Sequence, residues 1–180
     1  ILSNFKILKN KKNQGFGKNY KFSIKYSIKK NYTKLIFLHG DNQYPTNKIE
    51  LLEKRLDYSA LAYGSRKLNY LNMKNNMPKS RLLANIILTK MINFLLGSKA
   101  TEFFSGFRGL EVKKLKNLDL NKLADEWVIE QQIHFQFIKK NYRINEIPIP
   151  TSYKHNQKSE IPPFRYVISV ILSVFKYAFK

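Results

Sequence analysis

Asp41 and Gln43 stand two residues apart, with His39 just ahead of them, and no other stretch of the chain is better equipped for chemistry. A carboxylate and an amide oxygen at this spacing can hold Mg2+ or Mn2+, with the oxygens of a bound diphosphate completing the shell. His39 can add a nitrogen ligand or a hydrogen bond to a phosphate, although imidazole suits Mg2+ less well than a carboxylate does. An aspartate in such a place is also a common turn residue.

Arginine is scarce beside lysine here, and Arg66, Arg81 and Arg108 each lie beside a small or helix-starting residue. The guanidinium fork grips phosphate by two parallel bonds, so these three are read as phosphate ligands, against the plainer reading of surface ion pairs. Glu102 and Glu130 are the carboxylates that can serve as acid or base toward an acceptor hydroxyl. Glu102, Arg108 and Glu130 thus make up the expected catalytic set. Trp127 can stack on a sugar ring or fill the core, and the core is the commoner use.

Elements must carry these residues to one place. Lys34 to Leu38 is an apolar-rich run ending in His39-Gly40-Asp41, the pattern of a buried parallel strand with polar residues at its carboxyl end. Open α/β sheets bind ligands at such ends. A second strand is expected from Ser59 to Tyr63, closed by Gly64-Ser65-Arg66, and a third from Tyr142 to Ile149, limited by Pro148 and Pro150. Phe5 to Leu8 reads as a short strand, and Thr101 to Gly109 as a loop or edge strand.

Helices are expected from Lys18 to Lys30, from Pro45 to about Arg55, more weakly near Val112 to Leu115, and from Asp125 to Lys140 with acidic residues at its start. Lys79 to Leu96 reads as a well-buried helix that Gly97 ends. The tail from Pro162 carries Tyr166, Val167, Val170, Ile171, Val174 and Phe175 on one helical stripe. Such a helix can lie on a membrane surface or dock on another part of the protein. Strands alternating with helices give an α/β class with a mostly parallel central sheet, and no internal repeat or domain linker is evident.

The chain of 180 residues, 43% hydrophobic and 14% aromatic, has the composition of a folded domain. It contains no cysteine, which excludes disulfides and thiolate metal sites and permits a reducing compartment. Lys and Arg number 33 against 12 Asp and Glu, for a net charge of +21. That charge favours nucleic acid, anionic lipid or phosphorylated substrates, but the lysines are dispersed and form no arm. The run from Tyr166 to Phe179 is shorter than the ~20 residues that span a bilayer.

Several short segments in order resemble the family 2 glycosyltransferases of the GT-A, Rossmann-like fold, near the bacterial polyprenyl-phosphate sugar transferases and dolichol-phosphate mannosyltransferases. They are Asn13-Gln14-Gly15-Phe16-Gly17, His39-Gly40-Asp41-Asn42-Gln43-Tyr44-Pro45, Gly64-Ser65-Arg66, Met77-Pro78 with Arg81 and Asn85, and Ser105-Gly106-Phe107-Arg108. Trp127 with Glu130, Glu146-Ile147-Pro148-Ile149 and Lys158-Ser159 follow, so the likeness covers nearly all of 5–161.

The resemblance implies transfer of a sugar, of hexosyltransferase type, from a nucleotide-diphosphate donor to a lipid-phosphate or cell-surface glycan acceptor. Asp41 and Gln43 match the DXD-type metal and diphosphate site, with His39 beside it where many relatives carry aspartate. Ser65, Arg66, Arg81 and Asn85 match acceptor-phosphate positions, and Glu102 matches an acidic position on the acceptor side. A phosphate acceptor is already an anionic nucleophile and requires no strong base.

The family's first strand and its nucleobase-holding aspartate have no counterpart after Ile1, so the sequence reads as lacking that N-terminal part. Residues 1–161 are then a partial catalytic domain and 162–180 an amphipathic helix, in a peripheral protein at the cytoplasmic face of the cell membrane that contributes to the cell envelope. Its partners would be the nucleotide sugar, a polyprenyl-phosphate or glycan acceptor and an anionic membrane surface. A basic nucleic-acid-binding module and an inactive transferase kept as an interaction domain are the alternatives. Under the leading reading, nucleic acid is not a partner.

Overall fold

The computed structural model describes residues 6–41, 43–68, 77–150 and 162–179. Four strands form one sheet: β1 (Lys34–Phe37), β2 (Leu61–Ser65), β3 (Arg108–Glu111) and β4 (Ile144–Pro148), in the order β1-β3-β2-β4. β3 pairs antiparallel with β1 and with β2, whereas β2 and β4 pair parallel. Three strands therefore run one way, and β3 is inserted against them. The α/β expectation holds, with a reversed strand where the sequence suggested loop or edge.

Six helices surround the sheet: α1 (Phe16–Lys29), α2 (Ile49–Arg55), α3 (Lys79–Leu96), α4 (Val112–Leu115), α5 (Ile129–Lys139) and α6 (Pro163–Ala178). Side chains alternate across a strand, so β2 feeds two cores. Leu61 and Tyr63 join Tyr20 and Ile24 of α1 and Ile129, Ile133 and Phe137 of α5. Ala62 turns to the other face, where Leu52 of α2 and Leu56 just after it meet Phe107, Ile147 and Ile149. A third cluster joins Ile92 of α3 and Phe135 of α5 to Val170 and Val174 of α6.

The expected helix and strand types recur, with shifts that have local causes. Lys6–Leu8 takes no regular structure, and Ile7 is 76% exposed, because no strand among the described residues pairs with it; Phe5 lies outside the described residues. β1 is half-buried rather than buried, being an edge strand, and its partner is antiparallel. Asp125 and Glu126 precede α5 instead of opening it, and Asp125 pairs with Lys21 across 2.7 Å. Gly97 ends α3 with φ 63, the left-handed conformation that costs glycine little.

α3 is not buried all round. Asn85, Leu88, Thr89 and Ile92 face inward, while Leu83, Ile87 and Phe94 point to solvent, because only one stripe meets α5 and α6. α6 docks in the same way, through Val170, Ser173 and Val174, and Gln132 of α5 donates to Ser173 Oγ at 3.0 Å. Its other stripe, Phe164, Ile168, Leu172, Phe175 and Phe179, is exposed. No helix among the described residues is long and apolar enough to cross a membrane. A short repeat does exist: Ile-Lys-Lys-Asn-Tyr occurs at 28–32 and again at 138–142, each time closing a helix and leading into a strand.

Candidate active site

The reversed direction of β3 assembles the site. β1, β2 and β4 end where β3 begins, and Arg108 stands opposite Phe37 on one side and Tyr63 on the other. The loop from Thr101 to Phe107 is thereby delivered between His39–Tyr44, which follows β1, and Ser65–Arg66 at the end of β2. Two polar clusters form on either side of that loop.

The first contains His39, Asp41, Tyr44, Gly106, Arg108 and Glu130. Asp41 is half-buried, and one carboxylate oxygen accepts the Gln43 N–H at 3.1 Å, an Asx-type turn that holds the loop after β1. Gln43 lies beside it, while Asn42 falls outside the described residues. Tyr44 is buried, and its hydroxyl accepts the Gly106 N–H at 2.9 Å. His39 lies between the rings of Phe16 and Tyr44, with centroid distances of 5.8 and 5.7 Å. A Cβ on Gly106 would sit 2.3 Å from His39 Cε1, so the glycine of Ser105-Gly106-Phe107-Arg108 makes room for the imidazole.

Glu130, in the first turn of α5, faces this ring, with its Oε1 3.9 Å from His39 Nε2. That distance describes an ion contact, too long for a hydrogen bond. Both facing atoms lack a hydrogen-bond partner among the described residues, so protonating the imidazole places a positive charge against a buried carboxylate. The Glu130 contact accordingly raises the His39 pKa above the ordinary imidazole value. Burial opposes the rise, and Asp41 adds to it.

Arg108 is almost wholly buried and spends its guanidinium on main-chain carbonyls. It donates to Ser105 at 2.7 Å, to Glu130 at 2.9 Å and to Phe103. Its Nε also lies 4.0 Å from the Glu130 carboxylate. This arginine ties the loop to α5.

The second cluster contains Ser65, Arg66, Thr101, Glu102 and Glu146. Glu102 is fully buried; it forms an ion pair with the Arg66 guanidinium and also accepts the Arg66 main-chain N–H at 2.8 Å. Its carboxylate fixes the arginine that ends β2. Ser65 Oγ lies 2.6 Å from Thr101 Oγ1, which donates to Glu146 at 2.6 Å, and Glu146 also accepts the Thr101 N–H at 2.7 Å and the Tyr63 hydroxyl. Burial, followed by the Glu146 charge, holds the Tyr63 hydroxyl well above its usual pKa and therefore protonated.

Sequence reasoning assigned no role to Thr101 or Glu146 in this cluster, or to Lys67 beside it. Thr101 and Glu146 bind one another across 45 positions, and spacing carries no signal for such a contact. Lys67 is half-buried beside Arg66, and its pKa is lowered to about 8 by burial first and by the arginine's charge second. A lysine next to an expected phosphate-binding arginine was the available signal.

The other expected residues stand apart from both clusters. Asn85 is buried on α3, where its amide contacts the Met77 sulfur at 3.9 Å. Arg81 is exposed in the first turn of that helix. Trp127 is half-buried just ahead of α5, near Pro162, Arg165 and Tyr166. Lys158 and Ser159 lie outside the described residues.

A buried guanidinium–carboxylate pair, a half-buried aspartate and a histidine facing a glutamate thus meet at the carboxyl end of an α/β sheet, where such folds bind ligands. Among the described residues, no three of His, Asp and Glu gather as a metal cage. No curated protein matches the chain. The model of Glycosyl transferase family 2 matches residues 2–119, a span that holds His39, Asp41, Arg66, Glu102 and Arg108 and stops short of Glu130 and Glu146. The match covers well over half of the molecule, and with its GT-A-type mixed sheet the chain belongs to glycosyl transferase family 2.

Proposed function

We propose that the protein moves a sugar from a nucleotide-diphosphate donor to a lipid-phosphate acceptor at a membrane surface. Family membership supplies the reaction class. The observation that carries the finer reading is the pair of outward apolar stripes on α3 and α6. Leu83, Ile87 and Phe94 lie on one helix, Phe164, Ile168, Leu172, Phe175 and Phe179 on the other, and the helices pack side by side. Exposed apolar stripes of this kind mark an interaction face, and a helix with such a face and flanking cations suits an anionic lipid surface. Arg81 rises from the start of α3, at the edge of that face.

In this reading Asp41 and Gln43 hold the donor diphosphate through Mg2+ or Mn2+. A single carboxylate with substrate phosphates and water fits Mg2+, which seldom has an all-protein cage. His39, whose pKa is raised by its contact with Glu130, meets the same diphosphate. Ser65, Arg66 and Arg81 meet the acceptor phosphate, with Lys67 beside them, and Asn85 shapes the ground beneath. Glu102 acts through Arg66, and Arg108 with Glu130 holds the donor loop in place. Residues 1–161 form the catalytic portion and 162–180 the surface helix, so the protein works as a peripheral envelope-building enzyme at the cytoplasmic face.

The test uses the protein with its full native sequence, nucleotide sugars, Mg2+ or Mn2+, and polyprenyl phosphate in anionic vesicles. Asp41→Ala should cut metal-dependent transfer by about 100-fold or more, while leaving the fold and vesicle binding intact. Leu83→Glu with Leu172→Glu should release the protein from vesicles. Transfer undiminished by Asp41→Ala would overturn the donor assignment, and vesicle binding indifferent to the double change would overturn the membrane face.

A further inference from the structure

The sheet end remote from Asp41 and Arg66 carries a cleft that the transfer reaction does not use. Its two walls are the repeated corners. Asn31 and Asn141 take left-handed φ values of 54 and 52, and the next residue closes each corner: Tyr32 N–H donates to Ser27 at 3.1 Å and Tyr142 N–H to Phe137 at 3.0 Å. Each chain then enters a strand, β1 or β4. Between the corners, at the amino ends of β1, β2 and β4, lies an open cleft of about 800 Å3. That volume falls within the range of small-molecule sites.

The lining offers three kinds of contact. Lys113, Lys116 and Arg143 line the cleft, are exposed, and enter no ion pair among the described residues. Tyr32 and Tyr58 line the cleft and are 53% and 69% exposed, and Tyr32 also packs at a tilt on Tyr26, with ring centroids 6.4 Å apart. Glu111 is half-buried among them and also free of any ion pair among the described residues, which leaves an acceptor for hydroxyl groups. The nearby Lys34 is already committed, at 2.6 Å, to both Glu53 and Asp57.

Helix-end charge accounts for only part of this. Lys29, Lys30, Lys139 and Lys140 offset the negative carboxyl ends of α1 and α5. Arg143, which stands just ahead of β4, has no such duty. A ligand with a planar ring, sugar hydroxyls and phosphates uses all three kinds of contact, whereas a surface of phosphates alone leaves the Glu111 acceptor unused.

We propose that this cleft, built by the two Ile-Lys-Lys-Asn-Tyr corners, binds a nucleoside phosphate, with Tyr32 and Tyr58 against the base, Glu111 on the ribose hydroxyls and Lys113, Lys116 and Arg143 on the phosphates. It lies at the opposite end of the sheet from the donor site and stands independently of the transfer reading.

Isothermal titration calorimetry with ATP at low ionic strength tests the assignment. The expected result is saturable binding that K116E/R143E weakens more than tenfold, that Tyr58→Ala weakens several-fold, and that Asp41→Ala leaves unchanged. Tripolyphosphate should bind at least tenfold more weakly than ATP. Circular dichroism melting of each variant, with these exposed changes leaving the melt intact, keeps misfolding separate from loss of binding. Absence of ATP binding at millimolar concentration would overturn the proposal. So would loss of binding in Asp41→Ala, which would return the nucleotide to the donor end. Equal binding of tripolyphosphate would reduce the cleft to a general anion surface, and tighter binding of a single-stranded oligonucleotide through the same residues would make it a nucleic-acid groove.

Discussion

The two ends of the sheet handle charge in opposite ways. At the carboxyl end, Arg66, Glu102, Arg108 and Glu130 are all less than a tenth exposed, and each has a fixed neighbour of opposite charge or a main-chain partner. At the amino end, Lys113, Lys116 and Arg143 stand in water. Buried charges lose hydration and must be held by complementary groups, which makes their geometry rigid and their loss costly. Exposed charges are screened and mobile, which suits reversible capture but adds little to the fold. The contrast separates an end of buried, fixed charges from a solvated cleft on one small sheet.

The largest test of that contrast is Glu102→Ala. It leaves the Arg66 guanidinium buried without its carboxylate, and the change should cost about 3–5 kcal/mol, read as a lower urea midpoint. A cost below about 1 kcal/mol would show that water reaches Arg66 and that the two ends are alike.

A smaller effect sharpens the comparison within the carboxyl end. The folded-state pKa of His39 is raised, mainly by Glu130, so protonated His39 stabilises the native state at low pH. The contribution is fully present below the unfolded-state value of about 6.5 and is lost as pH rises through the higher folded-state pKa. Glu130→Gln should remove this pH dependence, and the His39 ring signals in an NMR titration should report a lower pKa. A His39 titration unchanged by that substitution would dissolve the link between β1 and α5.

The smallest effect belongs to the amino end. K116E/R143E should alter unfolding free energy by no more than about 0.5 kcal/mol, because neither residue is buried or enters an ion pair among the described residues. A larger loss would mean that the cleft is part of the framework.

Much of the framework was legible because it follows local rules. The helical spacing of Leu83, Ile87, Met91 and Leu95 and the glycine after Leu96 mark α3 end to end, and the apolar run before His39 marks β1. The outward stripe of α3 was not legible, since an all-round apolar helix reads as buried until its neighbours are known. Asp41, Arg66 and Arg108 could be selected as chemistry-bearing residues. Their partners could not, because Arg66 meets Glu102 across 36 positions and Tyr63 meets Glu146 across 83.

By itself the sequence determined the α/β class, a polar segment at the end of a strand from Lys34, and the residues with the right atoms for a diphosphate. Periodicity, glycine and charge act within a few residues and need no distant partner. The tertiary structure decided the direction of β3, and with it the delivery of Thr101–Arg108 between two other strand ends. Strand direction depends on which edges find hydrogen-bond partners across the sheet, and no local spacing records that. The same packing turned Glu102 toward Arg66, set Glu130 against His39, and left Asp41 half-buried at the mouth of the site.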